Sequence, residues 1–251
     1  MSSVDSITDL LTLRLEHGVG GLQLNVQFAL QQPWTVLFGP SGSGKTTVLR
    51  AIAGFVRPDA GTINYCGRVL VDHEAGIWVP AHKRPVRSAA QHARLFPHMS
   101  VVENVLYGSG WSARPEAERE LAEELLGLFQ ISELAERRPR RLSGGEQKRV
   151  SAARAALAAA TFSGPENALL LLDEPFVGLD AALRDDLLLK LRSWAAVLRI
   201  PVLSVTHDVG EAFLLNAEVI RIAEGRVAAH GPVEVVLAGE RRRLLDQLSD
   251  S

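Results

Sequence analysis

The sequence predicts an α/β fold that also contains an antiparallel β lobe and a helical insertion. Apolar and polar residues alternate through residues 10–31, which is the two-residue period of paired strands with one buried face. The segment 169–172 is continuously apolar and 202–205 nearly so, as buried parallel strands are. Residues 115–160 are rich in leucine and alanine at helical spacing. Strands and helices therefore alternate along the chain, with helices concentrated in its middle.

The individual elements follow from local patterns. Leu11–Leu15 and Leu22–Phe28 are predicted strands, joined by a turn in the glycine-rich segment 18–21. A short strand at 36–38 leads into a second glycine-rich turn, and a helix starts near Thr46. The remaining predicted elements are strands within 61–80, helices within 115–160, a strand at 169–172, a helix at 181–198, a strand at 202–205 and a hairpin that includes 219–222 and Val227.

Length and composition limit the class of protein. The chain has 251 residues, enough for one domain with an inserted lobe, and its 47% hydrophobic and 22% charged residues are ordinary globular values. The formal net charge of −2 gives no electrostatic basis for nucleic-acid binding. Cys66 is the only cysteine, so no internal disulfide or cysteine zinc site is expected. Without a signal peptide or an apolar run of about 20 residues, we expect a cytoplasmic chain that does not itself span a membrane.

Residues 39–46 match the phosphate-binding pattern G-x-x-x-x-G-K-[ST], between a predicted strand and a predicted helix as the pattern requires. Glycines let successive backbone N–H groups point at phosphate oxygens, and the helix adds the positive end of its dipole. Lys45 is expected to reach the β- and γ-phosphates, and the Thr46 hydroxyl to bind Mg²⁺. The alternative is a purely structural glycine and serine loop. The candidate nucleotide-binding residues are Gly39, Pro40, Ser41, Gly42, Ser43, Gly44, Lys45, Thr46 and Thr47.

An acidic pair, Asp173 and Glu174, ends the predicted buried strand at 169–172. Asp173 is expected to hold Mg²⁺ directly or through water. Glu174 is expected to orient and deprotonate the attacking water, a role that contributes on the order of 10²–10⁴-fold to the rate. The structural alternative is an acidic pair that caps the following helix.

The segment Leu142–Arg149 reads LSGGEQKR and opens a predicted helix. Ser143, Gly144 and Gly145 place a hydroxyl and bare N–H groups at the N-terminus of that helix, which makes a second anion site. The segment resembles the LSGGQ-type signature of ABC transporter ATPases. That resemblance implies a homodimer in which two copies pair head to tail, and each ATP lies between one phosphate loop and the other copy's signature.

The same resemblance implies the architecture. It is a RecA-like P-loop NTPase core with an antiparallel β subdomain and an inserted helical subdomain at about 95–160. Residues 1–251 are then expected to form a single ABC-type ATPase domain.

Three further landmarks match the family in order. Gln91 resembles the Q-loop glutamine, which implies a residue that senses Mg²⁺ and the γ-phosphate. Asp180 resembles the D-loop aspartate, which implies a nucleotide-binding residue at the contact with the opposite subunit. His207 resembles the switch histidine that grips the γ-phosphate. The resemblance thus implies that Glu174, His207 and Gln91 are catalytic. It also implies that Thr46, Gln91 and Asp173 are the Mg²⁺ ligands.

Within the family, segment 94–105 resembles importer ATPases, and segments 67–84 and 91–98 are similar to molybdate-importer ATPases. This implies an ATP- and Mg²⁺-dependent hydrolase, peripheral on the cytoplasmic face of the membrane, that drives uptake of molybdate or a related oxyanion. The implied partners are multi-span permease subunits, with a periplasmic binding protein expected and no nucleic acid. Alternatives are an importer ATPase for sulfate, iron or sugar, a soluble ABC-type ATPase without a transport role, and a P-loop small-molecule kinase.

Four features depart from the family pattern. His17 stands where these ATPases place an aromatic contact for adenine, so weaker stacking on the base is expected. Segment 86–90 is polar for a strand, which predicts a short or mobile one, and segment 158–167 predicts an added loop. Because the chain stops at Ser251, we do not expect the C-terminal oxyanion-binding domain that molybdate members often carry.

Overall fold

The computed structural model of the chain describes residues 9–109, 115–164 and 167–249. The strands are β1 (Leu11–Val19), β2 (Leu22–Leu30), β3 (Trp34–Phe38), β4 (Ala60–Tyr65), β5 (Arg68–Asp72), β6 (Ile77–Trp78), β7 (Val86–Ala89), β8 (Leu169–Asp173), β9 (Val202–Thr206), β10 (Glu218–Ala223) and β11 (Arg226–Pro232).

The α-helices are α1 (Lys45–Ala53), α2 (Val101–Leu106), α3 (Pro115–Leu128), α4 (Gly144–Ala160), α5 (Ala181–Val197), α6 (Val209–Leu215), α7 (Val233–Val236) and α8 (Ala238–Ser249). Short 3₁₀ helices cover Ala81–Lys83, Tyr107–Ser109, Ser132–Leu134 and Pro139–Arg141. The chain divides into two compact units, Met1–Arg84 with Ala217–Ser251 and Pro85–Asn216.

The first unit is organised around a mixed sheet with strand order β6–β5–β4–β1–β2–β11–β10–β3. The pairs β1 with β2, β1 with β4, β4 with β5, β5 with β6 and β10 with β11 are antiparallel. The pairs β3 with β10 and β2 with β11 are parallel. The predicted hairpin is confirmed, since Leu13 lies opposite Phe28 and both are buried. Alternate residues in most of β1 and β2 are buried, as the two-residue period requires.

The strand β3 and the helix α1 flank the phosphate-loop sequence in the first unit. All five residues of β3 are buried, and the strand pairs in parallel with β10. The helix α1 ends at Ala53, and the following Gly54 takes the left-handed conformation that closes many helices. Buried Arg84 donates from Nη1 to the carbonyls of Ala51 and Ile52, each at 2.8 Å. These hydrogen bonds add a side-chain donor to carbonyls of the last helical turn, of which that of Ala51 also accepts from the N–H of Gly54 at 3.2 Å.

The second unit contains three parallel strands in the order β9–β8–β7, with helices packed against them. Every residue of β8 is buried, which confirms the buried strand predicted at 169–172. The polar segment 86–90 does form a strand, β7, but it is only four residues long. The helix α4 runs through Ala160 and covers the start of the predicted added loop, of which residues 165–166 lie outside the described residues.

Together the two units have the mixed α/β composition that the sequence predicts. The helices α2, α3 and α4 contact one another in the region expected to form the helical subdomain. The assignment of residues 1–251 to one ABC-type ATPase domain stays a prediction. Within the described part of the chain, no helix has both the length and the apolar character needed to cross a membrane.

Candidate functional site

The phosphate-loop residues lie between β3 and α1, and two positions there accept only glycine. Gly39 has a φ of 156°, and a Cβ at this position would collide with the carbonyl oxygen of Ile222. Gly44 has a φ of 100°, and a Cβ there would collide with the side chain of Leu24. The loop therefore passes close to neighbouring strands, in a conformation that side chains rarely adopt.

Lys45 is buried at the start of α1, and its ammonium group points back into the loop. Its Nζ donates to the carbonyl of Gly39 at 2.7 Å and to that of Pro40 at 2.8 Å. The hydroxyl of Ser43 is buried and has no hydrogen-bond partner among the described residues. A buried cation next to an unpartnered hydroxyl suits a phosphate group, which would accept from both.

The first turn of α1 supports the same interpretation. Gly44 is the N-cap of the helix and offers no side-chain cap, so the N–H groups of the first turn lack the partner that a serine or aspartate would supply. Thr46 and Thr47 lie in this turn and are half-buried. The predicted nucleotide-binding residues 39–47 thus form one continuous loop and helix start, and the positive end of the helix suits a polyphosphate.

In the second unit, the structure brings together three residues that the sequence predicts to be catalytic. Gln91 donates from Nε2 to Oε2 of Glu174 at 2.9 Å, and Nδ1 of His207 lies 2.9 Å from Oε1 of the same carboxylate. An ionised carboxylate only accepts hydrogen bonds, so the proton of this contact belongs to Nδ1 of His207. The carboxylate is therefore held from both sides by neutral or cationic donors.

The backbone explains why Glu174 is so placed. Glu174 follows β8 directly and has a φ of 47°, an uncommon value for a residue with a side chain. Its N–H donates to the carbonyl of Val205 on β9 at 3.2 Å. The side chain of Glu174 is only 10% exposed, whereas that of His207 is 48% exposed. A strained conformation at a polar residue is typical of functional sites.

The residues predicted to hold Mg²⁺ have the right chemistry for that ion. Asp173 ends β8 as a buried carboxylate, and Gln91 keeps its amide oxygen as an acceptor while its nitrogen donates to Glu174. Thr46 adds a hydroxyl at the start of α1 in the first unit. Carboxylate, amide and hydroxyl oxygens are the ligands that Mg²⁺ prefers. In the described ranges no three His, Cys, Asp or Glu side chains cluster so as to hold a metal ion by themselves.

The signature segment forms the N-terminus of α4 and is closed by a capping box. Oγ of Ser143 accepts from the N–H of Glu146 at 3.3 Å, and the Glu146 carboxylate accepts from the N–H of Ser143 at 2.6 Å. The hydrogen bond from the Ser143 backbone lowers the pKa of Glu146. Gly144 and Gly145 are the first two helical residues. The predicted helix N-terminus is thus present, with its N-cap hydroxyl engaged by the helix itself, and anion binding there stays a prediction.

Sequence reasoning gave no separate role to Glu146. A signal for it was available, because Ser143 followed three residues later by Glu146 is the sequence pattern of a capping box.

Asp180, predicted to contact nucleotide and the opposite subunit, has a defined local role as the N-cap of α5. Its Oδ1 accepts from the N–H groups of Ala182 at 3.0 Å and Leu183 at 3.3 Å. Lys148 of α4 donates from Nζ to the carbonyl of Val177 at 2.7 Å. The signature helix is therefore tied to the segment that leads into Asp180.

His17, the predicted adenine contact, lies on β1 in the first unit. Its Nδ1 is 3.2 Å from Oδ2 of Asp59, and the same oxygen accepts from the N–H of Gly18 at 2.8 Å. The Gly18 hydrogen bond, and after it the neighbouring His17, lower the pKa of Asp59. The ring of His17 thus lies beside a carboxylate, and its contact with adenine stays a prediction.

Comparison with known proteins identifies the family. The profile of the ABC transporter family matches residues 23–177, which cover more than half of the chain. The chain therefore belongs to the ABC transporter family.

Two individual relatives are similar to most of the chain. The chain is 42% identical to the molybdenum import ATP-binding protein ModC of Mesorhizobium japonicum, over 88% of this chain and 58% of that protein. It is also 42% identical to ModC of Rhodospirillum rubrum, over 87% of this chain and 57% of that protein. The chain thus spans a little under three fifths of the length of these relatives.

Solved structures agree in fold. The structure of cbiO1 from Clostridium perfringens, part of the ABC transporter complex cbiONQ, aligns with a TM-score of 0.73 and 24% identity over 92% of each chain. The ADP conformation of MJ1267, an ATP-binding cassette of an ABC transporter, aligns with a TM-score of 0.73 and 22% identity over 92% of this chain and 95% of that chain. The predicted fold class of an ABC-type P-loop ATPase is confirmed.

Proposed function

We propose that the chain is the ATP-hydrolysing subunit of an ABC importer for molybdate or a related oxyanion. The observation that carries the ATPase assignment is the carboxylate of Glu174, held by Gln91 on one side and by His207 on the other. This arrangement occurs in a chain that also has a phosphate loop and a signature helix. The likeness to the molybdenum import proteins supports the oxyanion as the cargo.

The residues of the chain divide the chemistry among them. The N–H groups of residues 39–47 and the ammonium of Lys45 bind the phosphates of ATP. Glu174 orients a water molecule and accepts its proton, while the water oxygen bonds to the γ-phosphorus and the bond to the ADP oxygen breaks. His207 orients the carboxylate of Glu174 relative to the γ-phosphate. Mg²⁺, bound by Thr46, Gln91 and Asp173, would supply positive charge to the phosphate oxygens.

The proposal includes an assembly. Residues 1–251 act as one ABC-type ATPase domain, and two copies pair head to tail so that Ser143, Gly144 and Gly145 of one copy meet the ATP on the phosphate loop of the other. Asp180 lies at the same contact. The dimer binds multi-span permease subunits at the cytoplasmic face of the membrane, and a periplasmic binding protein delivers the oxyanion to that permease.

A mixing experiment tests the shared site. Ser143→Arg places a long cation at the signature, and Lys45→Ala removes the phosphate-binding ammonium, so neither variant alone should hydrolyse ATP. Mixed dimers should recover hydrolysis at one site, the site made from the intact loop and the intact signature. Normal phosphate release by Ser143→Arg alone would contradict the head-to-tail site.

Transport in proteoliposomes tests the cargo. The chain should be purified with the membrane proteins that accompany it in the source cells, and ATP hydrolysis should be measured with molybdate, sulfate, iron and sugars. Stimulation by molybdate is the expected result. Stimulation by sulfate, iron or sugar alone would reject the proposed cargo, and purification without any membrane protein would reject the importer.

A further inference from the structure

Arg184, which belongs to none of the motifs above, contacts three carboxylates in the second unit. From α5 its Nη1 donates to Oδ2 of Asp208 at 2.8 Å, and its Nε lies 3.0 Å from Oδ1 of Asp185 and 3.4 Å from Oε1 of Glu211. The side chain of Arg184 is 19% exposed and that of Glu211 only 8%. These contacts join α5 to the start of α6.

Asp208 connects α5 to α6, because each of its two carboxylate oxygens accepts a hydrogen bond. Oδ1 accepts from the N–H of Glu211 at 3.1 Å and so caps α6, while Oδ2 accepts from Arg184. The N–H of Asp208 donates to the hydroxyl of Thr206 at 3.0 Å. Thr206 and Asp208 are the two neighbours of His207 along the chain. The backbone on each side of the histidine is therefore fixed by hydrogen bonds.

Burial and the neighbouring charges shift the pKa values of Glu211 and Arg184. Burial raises the pKa of Glu211, and Thr206 and Arg184 oppose that shift. Burial also disfavours the charged form of Arg184, but the hydrogen bond to Asp185 and the charges of Asp208 and Glu211 outweigh it and raise the pKa of Arg184. Without Arg184, the carboxylates of Asp185, Asp208 and Glu211 would lose the guanidinium that all three contact.

We propose that Arg184 is a positioning residue for ATP hydrolysis, which holds the turn that carries His207 so that Nδ1 of the imidazole stays on the carboxylate of Glu174. Arg184 reaches Glu174 only through Asp208 and His207. The guanidinium places Nη1 against Asp208 and Nε against Asp185 and Glu211 in one rigid plane, whereas a lysine ammonium is a single point charge on a flexible stem. The inference rests on the proposed function, because it assumes that His207 and Glu174 act in hydrolysis.

The first test replaces the guanidinium while keeping an apolar stem. Arg184→Met should lower kcat for ATP hydrolysis about 10- to 100-fold, as a small misplacement of a catalytic group does. KM for ATP should change less than about twofold, because the phosphate loop is untouched. The matched control is Lys190→Met on the same helix, whose ammonium pairs with Asp186 at 2.6 Å. This control should keep the wild-type kcat.

A second variant keeps the test decisive if Arg184→Met folds poorly. Asp208→Asn retains a good N-cap for α6 but loses the charge that Arg184 holds. It should also lower kcat with little change in KM. In the double variant Arg184→Met with Asp208→Asn, kcat should stay within about twofold of the weaker single variant, because both changes break one connection. A double variant whose loss of kcat equals the product of the two single losses would overturn the proposal.

The variant His207→Ala distinguishes a failure of the positioning role of Arg184 from a failure of the proposed function. If His207→Ala is inactive and Arg184→Met keeps the wild-type kcat, the positioning role is wrong while the proposed function stands. If His207→Ala hydrolyses ATP normally, the assigned site is wrong and the positioning role falls with it.

Discussion

Nδ1 of His207 lies 2.9 Å from Oε1 of Glu174, although the two residues are 33 positions apart in the sequence. The contact exists because β8 and β9 are adjacent parallel strands, and each residue follows the carboxyl end of its own strand. Gln91 donates to the other oxygen of the same carboxylate. Each carboxylate oxygen keeps a second lone pair, so Glu174 is oriented and can still accept a proton from water.

Replacing Gln91 should remove one of the two side-chain hydrogen bonds that orient the Glu174 carboxylate. We expect Gln91→Ala to lower the rate of ATP hydrolysis about 10- to 100-fold, as loss of groups around a metal commonly does. The Mg²⁺ concentration needed for half-maximal activity should also rise, since the amide oxygen is a proposed ligand. The measurement is a Mg²⁺ titration of phosphate release. An unchanged Mg²⁺ requirement would contradict the ligand role of Gln91.

The close approach of Gly39 to β10 predicts a stability effect. Gly39→Ala would force a Cβ against the carbonyl of Ile222 at a φ of 156°. The free energy of unfolding should fall by more than about 1 kcal/mol, and ATP binding should weaken because the loop must shift. Chemical denaturation and nucleotide titration measure the two effects. The control is Gly239→Ala in α8, where no atom lies within 4 Å, and it should leave both quantities unchanged or slightly raise stability.

The capping box predicts a pH dependence of stability. The N–H of Ser143 holds the pKa of Glu146 below the usual 4.5, so in acid the unfolded chain binds more protons than the folded chain. The contribution of Glu146 is therefore present above the usual pKa and is lost as the pH falls through the folded-state pKa. Glu146→Gln keeps a capping box without this titration.

Denaturation at several pH values checks this prediction. Wild type should lose more stability than Glu146→Gln as the pH falls from about 5 to 3. Parallel pH profiles for the two proteins would show that the ionisation of Glu146 does not stabilise the helix.

Sequence patterns predicted the parts of the fold that depend on local rules. The alternation in β1 and β2, the continuous hydrophobicity of β8 and the glycine-rich loop before α1 each have a period or motif that leaves few alternatives. The motif residues Gln91, Glu174 and His207 were predicted individually, and the structure brings them together.

The contacts of Arg184 could not be predicted in the same way. Arg184 and Asp208 are 24 positions apart on different helices, and nothing in either local sequence indicates the pairing. The left-handed conformation of Glu174 could not be predicted from the sequence either, since neither Asp173 nor Pro175 requires it. Both features depend on how β8, β9, α5 and α6 pack, which is a property of the folded chain.

Glu174 carries the central claim, and the variant Glu174→Gln tests it most directly. The amide keeps the shape of the side chain but cannot accept a proton, so phosphate release should fall at least about 100-fold while ATP still binds. An ATP-bound dimer should then accumulate and be visible by size-exclusion chromatography. Glu133→Gln, at an exposed glutamate of the same unit, is the control and should hydrolyse ATP at the wild-type rate. Full turnover by Glu174→Gln would contradict the account.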